Sequence, residues 1–191
     1  ALGGVHTLDL SGCENITDES VRKLGGVHTL ELCDCSNITD VSALGGVHTL
    51  DLKGCDKITD VSALGGVHTL DLSRCDNITD VSDLGGVHTL ILIECSKITD
   101  VSALGGVHTL DLSRCSNITD ESISKLGKEG QHILILSRCT NITDESVRKL
   151  GGVHTLYLRF CSNITDVSAL GGVHTLDLRF CRNITDVSAL G

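Results

Sequence analysis

Residues 44–63 read LGGVHTLDLKGCDKITDVSA, and this phrase, restated nine times, accounts for the chain. LGGVHTL opens at Leu2, Leu24, Leu44, Leu64, Leu84, Leu104, Leu150 and Leu170, and a divergent copy, LGKEGQHIL, opens at Leu126. The steps between openings are 22, 20, 20, 20, 20, 22, 24 and 20 residues. Self-similarity at a period of this size marks a solenoid, in which each repeat buries its apolar side only against its neighbours. With no linker to interrupt the array, residues 1–191 are expected to form a single elongated domain of nine repeats.

Within a copy, the alternation V-H-T-L-D-L-K predicts a short strand with Leu50 and Leu52 inward and Thr49, Asp51 and Lys53 outward. Stacked copies then form a nine-strand parallel sheet on a concave face, roughly 40 Å along the stack at ~4.8 Å per step. Beyond Cys55, Ile58 enters the core and Thr59-Asp60 can cap the return segment. In the 20-residue copies DVSAL has room for about one helical turn. The ITDESVRKL copies from Ile16 and Ile142, and ITDESISKL from Ile118, have room for a short α-helix on the convex side. Gly-Gly is expected to reverse the chain through the backbone freedom of glycine. In the seventh copy the Lys128-Glu129 insertion puts Gln131 where the others have valine, which predicts a local bulge.

The motif V-x-x-L-x-L-x-x-C-x-x-I, seen in Val47, Leu50, Leu52, Cys55 and Ile58, resembles the leucine-rich repeat L-x-x-L-x-L-x-x-N/C-x-L. The ITDVSAL copies look like short internalin-like repeats. The CxNITDESVRKL copies resemble the cysteine-type repeats of ubiquitin-ligase substrate receptors. The resemblance covers essentially the whole chain and implies an α/β solenoid arc, with the parallel sheet concave and short helices or 3-10 turns convex. It says little about function.

Composition narrows the classes. The chain has no proline, tryptophan or methionine and three aromatics, which would starve a globular core but not a stack of Leu, Val and Ile. The net charge of −10, from 25 acids against 15 bases, argues against nucleic acid or an anionic membrane as the main partner. No apolar run approaches the about 18 residues that a membrane span needs. Nine of the ten cysteines hold one inward place per copy, at Cys13, Cys35, Cys55, Cys75, Cys95, Cys115, Cys139, Cys161 and Cys181. At ~4.8 Å spacing they are too far apart for disulfides, whose Cβ atoms lie ~3.8 Å apart, so they read as reduced packing thiols that donate to backbone carbonyls. Reduced thiols, together with crowded N-I-T sequons, point to a cytoplasmic protein. Neither end carries a polar cap, which is expected either to belong to a longer parent or to favour end-to-end self-association.

Because the copies align, each outward position becomes a column. Nine histidines (His6, His28, His48, His68, His88, His108, His132, His154, His174) read as a packing ladder at the sheet margin, with a metal or pH-sensing ladder as the rival. The central column reads Asp9, Glu31, Asp51, Asp71, Ile91, Asp111, Ile135, Tyr157, Asp177. Its acidic run, Asp9, Glu31, Asp51 and Asp71, is either a strip for a basic peptide or a cation, or a solvated face that keeps the sheet soluble. Two further columns vary most: Ser11, Cys33, Lys53, Ser73, Ile93, Ser113, Ser137, Arg159, Arg179, and Gly12, Asp34, Gly54, Arg74, Glu94, Arg114, Arg138, Phe160, Phe180. All three aromatics (Tyr157, Phe160, Phe180) fall in these columns in the last two copies, beside Arg159, Arg179 and Arg182. Aromatics and arginine are enriched at interface hot spots, so these six residues form the expected partner-binding patch, with Ile91 and Ile93 as a smaller apolar island.

A catalytic triad could be drawn in any copy and is therefore favoured in none; no phosphate loop or C-x-x-C zinc spacing occurs, and Cys33 reads as an exposed thiol open to reaction. The expectation is a nonenzymatic protein- or peptide-recognition module without catalytic residues, metal or cofactor, and without nucleic-acid or membrane partners. The rivals are a structural or engineered repeat scaffold and the substrate-recognition part of a ubiquitin-ligase adaptor, for which no F-box segment is present.

Overall fold

The computed structural model describes residues 4–126 and 132–191. Nine three-residue strands pair in chain order into one parallel sheet. They are β1 (Thr7–Asp9), β2 (Thr29–Glu31), β3 (Thr49–Asp51), β4 (Thr69–Asp71), β5 (Thr89–Ile91), β6 (Thr109–Asp111), β7 (Ile133–Ile135), β8 (Thr155–Tyr157) and β9 (Thr175–Asp177). Register is constant: Leu30 lies opposite Leu50, Leu50 opposite Leu70, and Leu110 opposite Leu134 across the longer seventh repeat. The array is thus an open α/β solenoid. The seventh repeat keeps register although its insertion and Gln131 lie outside the described residues.

The core is a stack of identical side chains. Leu50, Leu52, Cys55, Ile58, Val61, Leu64 and Val67 are buried together, as are their equivalents in the middle repeats. The terminal coils are only half covered, with Leu8, Leu10, Ile16, Leu176 and Leu178 packed on one side. Return segments follow length as expected. The 20-residue repeats carry 3-10 turns such as Ser62–Gly66, while the longer repeats carry one-turn helices α1 (Asp18–Val21), α2 (Asp120–Ile123) and α3 (Asp144–Val147).

Polar ladders join each coil to the next. Eight of the inward cysteines donate from Sγ to a leucine carbonyl of the preceding coil at 2.9–3.2 Å, for example Cys55 to Leu32 and Cys181 to Leu158. Cys13 departs from the expected pattern. It is exposed, and its Sγ–H does not join the ladder of bonds between coils among the described residues. Asn37, Asn77, Asn117, Asn163 and Asn183 donate from Nδ2 to the preceding coil's backbone at 2.6–2.7 Å. The return turn is capped by the aspartate of I-T-D rather than the threonine: Asp60 Oδ1 accepts from Ser62 N–H at 3.0 Å, and Asp40, Asp80 and Asp100 do the same. In the helical repeats that aspartate reaches onward. Asp18 accepts from Thr39 N–H and Oγ1–H, and Asp144 from Thr165 N–H and Oγ1–H, at 2.6–2.8 Å.

Two columns owe their residues to backbone geometry that the sequence pattern does not disclose. At the place of Gly12 and Gly54 every coil is left-handed, with φ between 56° and 73° from Asp34 and Arg74 through Phe160 and Phe180. The turn lets this N–H stay on the inter-coil ladder (Arg74 N–H to Ile93 carbonyl, 2.8 Å) while the next N–H bonds back and the cysteine swings inward. Seven non-glycine residues tolerate a conformation that costs about 1–2 kcal/mol each without glycine. The Gly-Gly pairs serve a different purpose. After Gly4 none of them has positive φ; instead an added Cβ on Gly65 would lie 2.4 Å from the Asp83 carbonyl oxygen, and one on Gly45 2.3 Å from that of Ala63. Close approach of successive coils, not a left-handed reversal, is what requires glycine there.

Candidate functional site

On the outward face of the sheet the repeats differ at several aligned positions. Across β6, β7 and β8 this face sinks into a depression of about 660 Å³. Ile133 and Ile135 of β7 lie between Thr109 and Asp111 on one side and Tyr157 on the other, with Arg114, Arg138, Arg159 and Phe160 along one margin. β7 carries isoleucine where most strands have threonine and an acid, which makes the floor of the hollow apolar. Its lining therefore has no polar atom on either outward side chain of that strand.

Phe160 and Phe180 stack with ring centroids 4.3 Å apart and an interplanar angle of 11°, and Arg138 lies over the other face of Phe160 at 4.3 Å. Beside this pile, Asp177 serves two arginines. Arg179 grips it with short hydrogen bonds from Nε and Nη2, down to 2.6 Å, while Arg159 Nε stands 3.7 Å away. That second distance is an ion pair without a hydrogen bond, and Arg159 Nε is buried with no partner. The Arg179 side chain and its backbone N–H hold the Asp177 carboxyl below the usual range, although burial opposes them. Arg114 pairs with Glu94.

Of the residues expected at the patch, Tyr157, Arg159 and Phe160 line the depression. Phe180 supports it from behind as the exposed end of the stack, at 53% exposure, and Arg179 is committed to Asp177. Arg182 is exposed on the far side of Cys181 in sequence and lies outside the lining. Ile91 and Ile93 are half-buried on the adjoining coil and do not line it either. Sequence reasoning passes over Ile133, Ile135 and Arg138. A signal exists, since Ile133 and Ile135 are two departures in one strand, but a reading column by column separates them.

The acidic column is partly framework. Asp9, Asp51, Asp71, Asp111 and Asp177 each accept through Oδ1 the N–H two residues on, at 2.8–3.0 Å, which closes the strand end. Burial pushes the carboxyls of Asp51 and Asp111 up, while at Asp9 the Ser11 hydrogen bond pulls it down. Glu31 makes no such bond and is half-buried between Asp9 and Asp51 in register. Ser73, expected outward, is 3% exposed with its hydroxyl unpartnered, since it lies in register between the longer Lys53 and Ile93. Cys33 is half-buried, and burial with the neighbouring Asp34 pushes its thiol up to about 11, so it is not an activated nucleophile.

The nine histidines stack along the margin with centroids 4.1–5.0 Å apart, nearly parallel from His48 to His154. Among the described residues no group of three or more His, Cys, Asp or Glu is placed to hold a metal. Desolvation, and then the charge of neighbouring imidazoles, pushes His28, His68, His108 and His154 down from the ordinary value. A histidine depressed on folding binds its proton better when unfolded, so its contribution is complete above about pH 6.5 and is lost as pH falls through the folded value. The melting temperature should therefore be level from pH 8 to about pH 7 and drop towards pH 5, before carboxylates titrate. A flat profile over that span would remove the imidazole ladder as the cause of acid sensitivity.

The Leucine Rich repeat family model matches residues 5–25 and 107–127, the repeats that carry α1 and α2. An internalin (inlF) from Listeria monocytogenes superposes with TM-score 0.59 over 97% of the chain at 22% identity. The fold is that of leucine-rich repeat proteins. The chain spans 63% of the internalin's length. It also resembles TLR13, solved as a complex with ssRNA13, at TM-score 0.63 and 20% identity over 86% of this chain and 27% of that one. Rad7, from the yeast complex with Elc1, matches at 0.50 and 17% over 80% and 42%. No curated protein matches in sequence. At these identities the likeness is one of fold. Among the described residues no helix is long and apolar enough to cross a membrane.

Proposed function

We propose that the nine coils act as one nonenzymatic recognition unit that binds a protein or peptide on the outward face of its sheet. The observation that supports this most is the depression over β6–β8, where three adjoining coils together present isoleucine, tyrosine, phenylalanine and arginine. Aromatic and arginine anchors around a desolvated hollow are the usual source of binding energy at interfaces. The face is also polarised. Asp9, Glu31, Asp34, Asp51 and Asp71 face Lys53 and Arg74 over β1–β4, whereas Arg114, Arg138, Arg159 and Arg179 outnumber Asp111 and Asp177 over β6–β9. An extended ligand would therefore lie along the stack in one direction, its basic end over the acidic coils Asp9 to Asp71. Inward thiols held as hydrogen-bond donors suit a reducing, cytoplasmic setting.

The test is a peptide-library selection on the intact chain, repeated with a Tyr157→Asp, Arg159→Ser, Phe160→Gly variant. Each replacement is the residue that other coils carry at that place, so the fold is retained. Selected peptides should lose about thirtyfold or more in affinity with the variant, the scale of a hot spot. Equal affinity for both proteins would leave a structural scaffold as the better description.

A further inference from the structure

Resting on the recognition reading, we infer that the depression takes a bulky apolar side chain whose flanking residue on the β8 side is a carboxylate, so the ligand is an acidic segment with an aliphatic or aromatic anchor. The apolar part follows from Ile133 and Ile135, which offer a floor without outward polar side-chain atoms between β6 and β8. The acidic part follows from the balance of guanidinium groups. Asp177 is the one carboxylate shared by Arg159 and Arg179, and Arg179 takes the hydrogen bonds. Arg159 Nε is left buried and unpartnered. Arg138 contacts the Phe160 face and pairs with no carboxylate among the described residues. Covering this margin with a neutral or basic segment would strip water from the exposed parts of two under-neutralised cations, whereas a carboxylate laid over it would offset their charge.

The opposite margin has the reverse character. Asp111 is half-buried, and its Oδ1 already accepts the Ser113 N–H. A second carboxylate there would be repelled, so the acidic residue belongs over β8 and a neutral one over β6. Within the depression the aromatic stack speaks against RNA as the occupant, the exposed ring of Phe180 lying outside the lining. Protein surfaces that hold single-stranded bases need free ring faces. Both faces of Phe160 are covered, by Phe180 and by Arg138.

Fluorescence anisotropy with defined probes tests this. The probes are short peptides with a central leucine or phenylalanine flanked by aspartate, by serine or by lysine, the aspartate peptide with alanine as anchor, and a short single-stranded RNA. The proteins are the intact chain and the variants Arg138→Gly, Arg159→Ser and Ile135→Asp, each matching a residue of another coil at that place, with thermal melts to confirm folding. The aspartate peptide with a bulky anchor should bind tightest and weaken with salt. Each arginine variant should cost it about tenfold while leaving the serine peptide unchanged. Ile135→Asp should abolish binding of both. Serine or lysine peptides that bind this depression as tightly would overturn the acidic preference and leave the recognition reading standing. Failure of every peptide to depend on Ile135 would overturn both. RNA that binds where peptides do not, and is lost in the arginine variants, would replace the peptide with nucleic acid.

Discussion

Gly65→Ala is expected to destabilise the protein by about 3 kcal/mol or more, near the upper end of overpacking costs, and to lower the melting point by roughly 6–12 °C. The new methyl carbon would lie 2.4 Å from the Asp83 carbonyl oxygen of the next coil. That oxygen belongs to the backbone and cannot rotate away. Relief requires the two coils to part, which loosens the Leu64–Leu84 contact and the strands they position. Gly105→Ala is the matched control. Its Cβ would meet the Lys125 carbonyl at 3.5 Å, an ordinary contact, because the next return segment is the helical one. There the loss of unfolded-state freedom should dominate, and the change should be neutral or stabilising by up to about 1 kcal/mol. Denaturant titration of both variants decides the matter. Equal effects would mean that close approach is not what selects glycine.

Thiol modification in the native state should separate the ten cysteines into three groups. Cys13 is exposed and should react first. Cys33, with its thiol raised to about 11 from 9.0, should have about a hundredfold less thiolate at neutral pH than an ordinary cysteine and react correspondingly slowly. The remaining eight are buried and donate their Sγ–H to leucine carbonyls, and burial pushes thiols such as Cys55 and Cys115 up to about 12. They should be modified only through opening of the stack, by orders of magnitude more slowly, and all at once in denaturant. Mass spectrometry over time counts the groups. Rapid modification of three or more sites in the folded chain would contradict the inward ladder.

The stack was legible because its cause is periodic. Leu50 and Leu52 alternate with Asp51, Cys55 and Ile58 follow at fixed offsets, and eight further copies repeat the pattern, so sheet, core and return segments could all be read. What periodicity hid was the reason for each invariant or variable place. The need for glycine at Gly65 cannot be inferred from spacing, because the contact that matters joins it to the Asp83 carbonyl in the following return segment. The column from Gly12 to Phe180 looked free because its residues vary, yet its backbone is left-handed in every coil. The aspartates looked like a charged strip because their hydrogen bonds to Ser73 and Ser113 N–H are local and invisible in composition. Tyr157 and Phe160 announced themselves by rarity. Ile133 and Ile135 did not, since isoleucine is common in the chain and a hollow depends on three neighbouring strands at once.

The direction of the inter-coil bonds has a mechanical consequence. Cysteine to leucine carbonyl, asparagine to backbone, and strand to strand all tie one coil to the next. A force applied between the two ends would load these ties in series at the outermost coil and not across the whole array. Extension should then proceed by peeling, each rupture releasing one repeat and about 70 Å of contour length from its twenty residues. The half-covered coils around Leu8 and Leu10 at one end and Leu176 and Leu178 at the other offer the least resistance, and a peel from the latter would begin beside the aromatic stack and reach the depression within the next few ruptures.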